Sequence, residues 1–292
     1  MKAIETASLT KYYKKERGIA DVSLSVETGD FFGFIGPNGA GKSTTIRTLL
    51  GFITQTGGTA RVLGMDNVKE KRNILEKVGY LPSENSFYRG MRVFEILKLS
   101  QSLRRKDCTA RAKELCERLE LDTSRKVEEL SFGNRKKVGI VCAMQHDPLL
   151  YILDEPTSGL DPLMQREFYS ILKECNERGA TVFLSSHVLS EVARYCKSAA
   201  VIKDGRILAC DKVERLGHTG VKRVTLRGVS VMPVISGARD IKNENESTSF
   251  LYSGDIKALL SKLSEVSFDD IIIADPDLEE VFMHYYAKEE GR

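Results

Sequence analysis

The stretch from Gly36 to Ser43 reads GPNGAGKS and fits G-x-x-x-x-G-K-[ST], a pattern that arises by chance in on the order of 1% of chains this long. Gly36, Gly39 and Gly41, with Pro37, Asn38 and Ala40 between them, form a loop whose backbone N–H groups can curl round phosphate oxygens. Lys42 adds a point charge toward the outer phosphates. Ser43 offers a hydroxyl to Mg2+, and Thr44 follows it into a helix. A tandem carboxylate, Asp154-Glu155, ends the apolar run LLYILDEP. On a strand, neighbouring side chains point to opposite sides of the pleat, so Asp154 is expected to face a metal ion and Glu155 a water beside the terminal phosphate. His187 closes the next apolar run, ATVFLSSH, at the strand end where a parallel sheet opens its ligand crevice. A fourth stretch, LSFGN (Leu130 to Asn134), places Ser131 as a helix N-cap with Gly133 behind it, a second anion-seeking helix start in one chain.

Residues of this kind need a rigid frame. Residues 2 to 35 alternate in three short apolar runs with the period of strands, and the third feeds directly into the glycine loop. The period then becomes helical, with Ile46, Leu49 and Leu50 on one face. From about 91 to 147 the pattern is helical again: Val93, Phe94, Ile96, Leu97 and Leu103 in one segment, Ala112, Leu115, Cys116 and Leu119 in the next, and then the helix that LSFGN opens. LLYILDEP and ATVFLSSH read as buried parallel strands with crossover helices, and AAVIKDGRILAC as a hairpin turning at Asp204-Gly205. The texture changes near 216. Residues 217–292 read as a small α+β domain with strands in VKRVTLRGVS, STSFLYS and DIIIA, a polar loop at KNENES, a helix near DIKALLSKLSE and a last helix after Pro276. The fold class is therefore α/β with an α+β appendix.

Composition removes several function classes. The 292 residues carry a formal charge of only +3, with Lys and Arg interleaved with Asp and Glu, so no nucleic-acid partner is expected. The basic runs KYYKKER and NRKK read as solvated faces. Six cysteines lie without a C-x-x-C pair, which argues against zinc and redox motifs and for reduced packing residues. The sequence has neither a run of roughly 18 to 20 apolar residues nor the apolar core of a signal peptide, so the expected location is the cytoplasm.

In this order, over residues 1 to about 215, the motifs resemble the ATP-binding subunit of an ATP-binding-cassette (ABC) transporter, a P-loop NTPase of ABC ATPase type. The resemblance implies ATP and Mg2+ as cofactors. GPNGAGKS falls on the family's Walker A, LLYILDE on its Walker B, SGLD (Ser158 to Asp161) on its D-loop and His187 on its switch histidine. Tyr13 in LTKYY falls on the aromatic residue that stacks the adenine, with adjacent Tyr12 as a rival. LSFGN falls on the signature, usually LSGGQ, which in the family closes on ATP held by a partner's Walker A. Ser131, Gly133 and Asp161 are thus implied to reach a second ATP-binding subunit's nucleotide, most simply in a homodimer. An integral-membrane permease subunit is the implied partner, with the chain peripheral on the inner face of the cell membrane. The terminal DPDLEEVFMHYY is similar to an extension found on ATPases of drug, antibiotic or peptide exporters.

Two positions depart from the family. Ser83, in GYLPSEN, stands where a glutamine would reach Mg2+ or the attacking water; the shorter serine spans that distance only through an intervening water. Phe132 and Asn134 replace the signature's Gly and Gln. Two other functions share these motifs: a soluble ABC ATPase acting on ribosomes or DNA, and a regulatory module with little turnover. The first usually carries long coiled-coil insertions or a second cassette, which this sequence lacks; Ser83 keeps the second open.

Overall fold

Two long strands open the chain, β1 (Lys2–Tyr13) and β2 (Glu16–Glu27), an antiparallel pair in which Val22, Leu24 and Val26 alternate into the core. The computed structural model describes residues 1–14, 16–217, 221–229, 235–244 and 247–276. After β3 (Phe31–Ile35) and α1 (Lys42–Leu49), β4 (Gly57–Val62) pairs with β1, and β5 (Met65–Asp66) completes a four-stranded sheet in the order β2-β1-β4-β5. Then come α2 (Lys71–Lys77), β6 (Val78–Leu81) and the helical segment α3 (Val93–Arg104), α4 (Thr109–Arg118) and α5 (Phe132–Met144). The chain returns as β7 (Leu150–Asp154), α6 (Pro162–Glu177), β8 (Thr181–Ser186), α7 (Leu189–Tyr195), β9 (Ser198–Lys203) and β10 (Arg206–Lys212), followed by α8 (Val213–Gly217).

The second sheet has the order β10-β9-β3-β8-β7-β6. Its strands β9, β3, β8, β7 and β6 run parallel, so the residues that leave them lie along one edge. β3, β7 and β8 are buried throughout, which explains their unbroken apolar runs. Phe183 lies between Phe32 and Phe34, with ring centroids 5.8 and 5.3 Å away. Burying each such ring contributes about 1.5–3 kcal/mol and fixes the register of the strands that carry the site.

Several helical positions differ from the sequence expectation. α3 buries Val93, Ile96 and Leu97, but Phe94 and Leu103 point outward, 48% and 77% exposed, because the helix covers the core with only a narrow stripe. In NRKK, Lys136 and Lys137 are buried rather than solvated, because α5 is enclosed along most of its circumference.

The chain divides into two units, the first Met1–Asp211. The second, Lys212–Arg292, holds a sheet ordered β12-β13-β11-β14, from β11 (Val221–Arg227), β12 (Ala238–Glu244), β13 (Ser247–Ser253) and β14 (Asp270–Ala274), with α9 (Ile256–Leu263) between the last two in sequence. Val224, Leu226, Phe250, Tyr252, Leu259 and Leu263 form its core. Of the polar stretch KNENES, expected as a loop, Lys242–Glu244 belong to edge strand β12, where one-sided pairing tolerates charge, Ser247 opens β13, and residues 245 and 246 lie outside the described residues. The helix expected after Pro276 lies outside the described residues. Among the described residues, no helix is long and apolar enough to cross a membrane.

Candidate functional site

Four adjacent parallel strands deliver the site residues to one edge. Ile35 of β3 aligns with Ser186 of β8, Asp154 of β7 with Ser185 of β8, and Leu81 of β6 with Leu153 of β7. The next residues out are Gly36, His187, Glu155 and Pro82. Sheet register, not sequence proximity, brings the glycine loop, the tandem carboxylate and the histidine together.

The glycine loop needs its glycines for different reasons. A Cβ on Gly36 would lie 2.4 Å from the Ile202 carbonyl, so only a bare Cα fits against β9. Gly39 and Gly41 have φ of 81° and 107°, the left-handed region that turns the loop into α1. The Asp204-Gly205 turn braces the loop from outside: Gly205 N–H donates to Ala40 O (2.9 Å), and Ala20 N–H donates to Gly205 O (2.8 Å). Lys42 is 5% exposed, and its ammonium donates to Gly36 O (2.7 Å) and Pro37 O (3.1 Å). It also lies 3.2 Å from Glu155 Oε1.

The carboxylates separate by a different device from pleat alternation. β7 ends at Asp154, and Glu155 adopts φ 46°, a left-handed conformation that swings its side chain toward Lys42. Glu155 N–H donates to the carbonyl of Ser185 (3.1 Å) and to its hydroxyl oxygen (3.3 Å), while that hydroxyl donates to Asp154 Oδ1 (2.5 Å). Ser185 therefore orients both acids. Sequence reasoning quoted it within SSH without assigning it a role; its only signal was a buried hydroxyl beside a functional strand end. His187 Nδ1 lies 3.3 Å from the same Oε1 of Glu155, on a ring left half exposed.

Asp154 is buried, and its Oδ2 takes no hydrogen bond from any described residue. A buried, unpartnered carboxylate oxygen together with the Ser43 hydroxyl suits a hard, oxygen-seeking cation such as Mg2+. No group of three or more His, Cys, Asp or Glu side chains able to hold a metal occurs among the described residues.

A cavity of about 320 Å³ is lined by Asn38, Gly39, Gly41, Lys42, Ser43, Thr44 and Glu155, with Tyr13, Arg17 and Gly18 as its outer wall. A Cβ on Gly18 would lie 2.8 Å from the Tyr13 ring and 3.1 Å from Thr44, so Tyr13 sits directly over this glycine beside the loop. Both tyrosines line a second depression with Lys11, Lys14 and Glu16, but of the two only Tyr13 also lines the cavity that holds Lys42. Arg17 and Gly18 were not singled out from sequence; their signal was position, in the β1–β2 hairpin immediately after Tyr13.

The remaining expected residues lie elsewhere. Ser131 caps α5, its hydroxyl accepting from Asn134 N–H (3.2 Å). Asp161 caps α6, accepting from Leu163 and Met164 N–H (3.1 and 3.0 Å), and the Met164 and Leu163 bonds hold its carboxyl below the usual carboxylate range. These two caps adjoin: a Cβ on Gly133 would lie 2.5 Å from the Gly159 carbonyl, and a Cβ on Gly159 would lie 2.3 Å from the Phe132 ring. Ser131, Gly133 and Asp161 line none of the cavity that holds Lys42. Ser83 does not line it either; its carbonyl accepts from Lys136 Nζ (2.8 Å).

A phosphate loop, an acid pair and a histidine on the carboxyl edge of one parallel sheet define a P-loop ATPase. The model of the ABC transporter family matches residues 19–158. The bacitracin transport ATP-binding protein BcrA of Bacillus licheniformis is 36% identical over 212 residues, 70% of this chain and 68% of that protein. The linearmycin resistance ATP-binding protein LnrL of Bacillus subtilis is 29% identical over 304 residues, 96% of this chain and 97% of that one. Among solved structures, the ATP-binding subunit of an ABC transporter matches at TM-score 0.68 and 30% identity over 73% of this chain and 91% of its own. A dimeric bacterial ABC transporter cassette matches at TM-score 0.64 and 25% identity over 72% and 98%. The chain belongs to the ABC transporter family of ATP-binding proteins, and is an ATPase of that family.

Proposed function

We propose that the chain is the ATP-hydrolysing subunit of an exporter, paired with a second copy and driving a separate membrane protein through closure on ATP and reopening after hydrolysis. The observation that carries this is the division of the site: the cavity with Lys42, Ser43 and Glu155 lacks Ser131, Gly133 and Asp161, which gather on a different edge of the same chain. A second copy, turned head to tail, would set that edge against the nucleotide.

Within one cavity, the loop N–H groups and Lys42 bind the phosphates, and Tyr13 stacks the base. Lys42 exchanges its contact with Glu155 for the γ-phosphate, which frees Glu155 to orient or deprotonate the attacking water. His187 holds the γ-phosphate in line. Ser43 and Asp154 would hold Mg2+, which would neutralise charge that develops on the phosphate oxygens. The N–H groups at the start of α5, with Ser131 and Gly133, would add donors to the partner's γ-phosphate.

An apolar groove of about 770 Å³ supports the membrane partner. Phe52, Tyr88 and Leu103 line it and are 43%, 71% and 77% exposed, and Lys71, Arg104 and Arg105 add positive charge to its lining. It suits a cytoplasmic segment of a permease with an apolar anchor and acidic residues. The bacitracin and linearmycin names of the relatives favour an antibiotic-like cargo. The test measures ATPase rate against protein concentration, together with co-purification from solubilised membranes. More than linear dependence, and an integral-membrane companion lost on Leu103→Glu while ATP binding persists, are expected; strictly linear turnover would end the dimer reading.

A further inference from the structure

α5 is held to the core along one face. A Cβ on Gly79 of β6 would lie 2.2 Å from the Ala143 carbonyl, and a Cβ on Gly139 would lie 2.3 Å from Asn85 Oδ1, so helix and strand touch at their backbones and Asn85 lies flat on the helix. One turn earlier on the same face, Lys136 is 1% exposed, and its ammonium donates to Pro82 O (3.1 Å) and Ser83 O (2.8 Å). Residues 82–85 are thus pinned to α5 at two successive points. The same helix begins at Ser131.

Burying an ammonium is costly, and an apolar side chain of similar length would pack there at lower cost. Burial lowers the Lys136 pKa to about 8, with Asp154, Glu155 and Glu84 supplying opposing negative charge.

We infer that Lys136 is a positioning residue: it clamps the loop bearing Ser83 to the signature helix, so that loop and signature move as one body when nucleotide binds. The inference rests on the ATP-driven closure proposed above. In this chain the loop is gripped from α5 through its backbone, and a short side chain at position 83 suffices because that side chain is not the link.

The test compares Lys136→Met, Lys136→Gln and Lys136→Arg in the full chain, by steady-state ATPase kinetics and by hydrogen exchange with Mg2+ and a non-hydrolysable ATP analogue. Lys136→Met is expected to lower kcat roughly 10- to 100-fold with KM for ATP within about twofold, while Lys136→Arg recovers most of the loss. In the wild type, nucleotide should slow exchange in residues 36–43 and in residues 82–85; Lys136→Met should keep the first response and lose the second. Should Lys136→Met fail to fold, the neutral but polar Lys136→Gln carries the same expectations. Wild-type kcat in the Met variant, an intact response at 82–85, or equal losses in the Met and Arg variants together with melting temperature would overturn the inference. A wild type that shows no response at 36–43 would overturn the ATP-binding reading instead, so the two failures are distinguishable.

Discussion

The edge that carries Lys42 and the edge that carries Ser131 are built on opposite plans. At the first, strands far apart in sequence converge, and the charged groups are engaged with one another: Glu155 Oε1 lies 3.2 Å from Lys42 Nζ and 3.3 Å from His187 Nδ1. At the second, each polar group is satisfied locally as a helix cap, by N–H groups two or three residues away. It nevertheless leaves Phe132 and Leu163 47% and 69% exposed. The difference teaches that the groups of the first edge are held by one another, whereas those of the second are settled within their own helix ends, which in the function proposed above leaves that surface to meet a second copy.

Breaking the first edge should cost most. Glu155→Gln is expected to keep ATP binding and to lower turnover by on the order of 10³, leaving an ATP-bound dimer visible by sedimentation; wild-type turnover would remove Glu155 from its role. Ser131→Arg sets the two edges directly against each other. It should leave nucleotide binding to the monomer within about twofold while turnover falls roughly 100-fold, and a collapse of binding would assign the motif to its own chain's loop. Tyr13→Ala should weaken ATP binding by about tenfold, the scale of one stacked base, with Tyr12→Ala near wild type; equal effects in titration calorimetry would dissolve the distinction between the two tyrosines.

The smallest effect lies outside both edges and serves as their control. Burial, helped by Arg104, lowers the pKa of His146 from 6.5 to about 4. Its stabilising contribution is therefore present above the unfolded value of 6.5 and is lost as pH falls toward 4, because the unfolded chain takes up the proton first. Between about pH 7 and pH 5 the melting temperature should fall by roughly 5 °C, and His146→Gln should flatten that slope without changing ATP affinity. An unchanged slope would show that another group governs it.

Where one residue type admits one geometry, the sequence was readable. GPNGAGKS predicted a strand, a glycine turn and a helix, and β3, Gly39, Gly41 and α1 occupy those places. The buried strands were legible because both faces are covered and no polar residue interrupts them. Tertiary contacts hid the rest. Lys136 reads as solvated because a lysine is costly to bury, and only the carbonyls of Pro82 and Ser83 make its burial tolerable. The separation of Asp154 from Glu155 was expected from the pleat, but it comes from a left-handed residue that leaves no mark in a Glu codon. Lys242–Glu244 read as loop because edge pairing requires little apolar surface, and α3 reads too broadly because an exposed Phe94 looks like a buried one in a periodic pattern.

The bracing of the phosphate loop by the Asp204-Gly205 turn has a consequence for mutational tolerance. A Cβ on Gly41 would lie 3.0 Å from the Gly18 carbonyl and 3.3 Å from the Gly205 Cα, and a Cβ on Gly205 would lie 2.8 Å from the Gly18 carbonyl. Gly41 and Gly205, distant in sequence, are thus both packed against the Gly18 main chain, and neither can accept a side chain unless that segment retreats, while a Cβ on Gly18 would press on Tyr13 and Thr44. Under saturation mutagenesis these positions should behave as one intolerant unit, and substitutions at Gly18 or Gly205 should mimic damage to the phosphate loop itself.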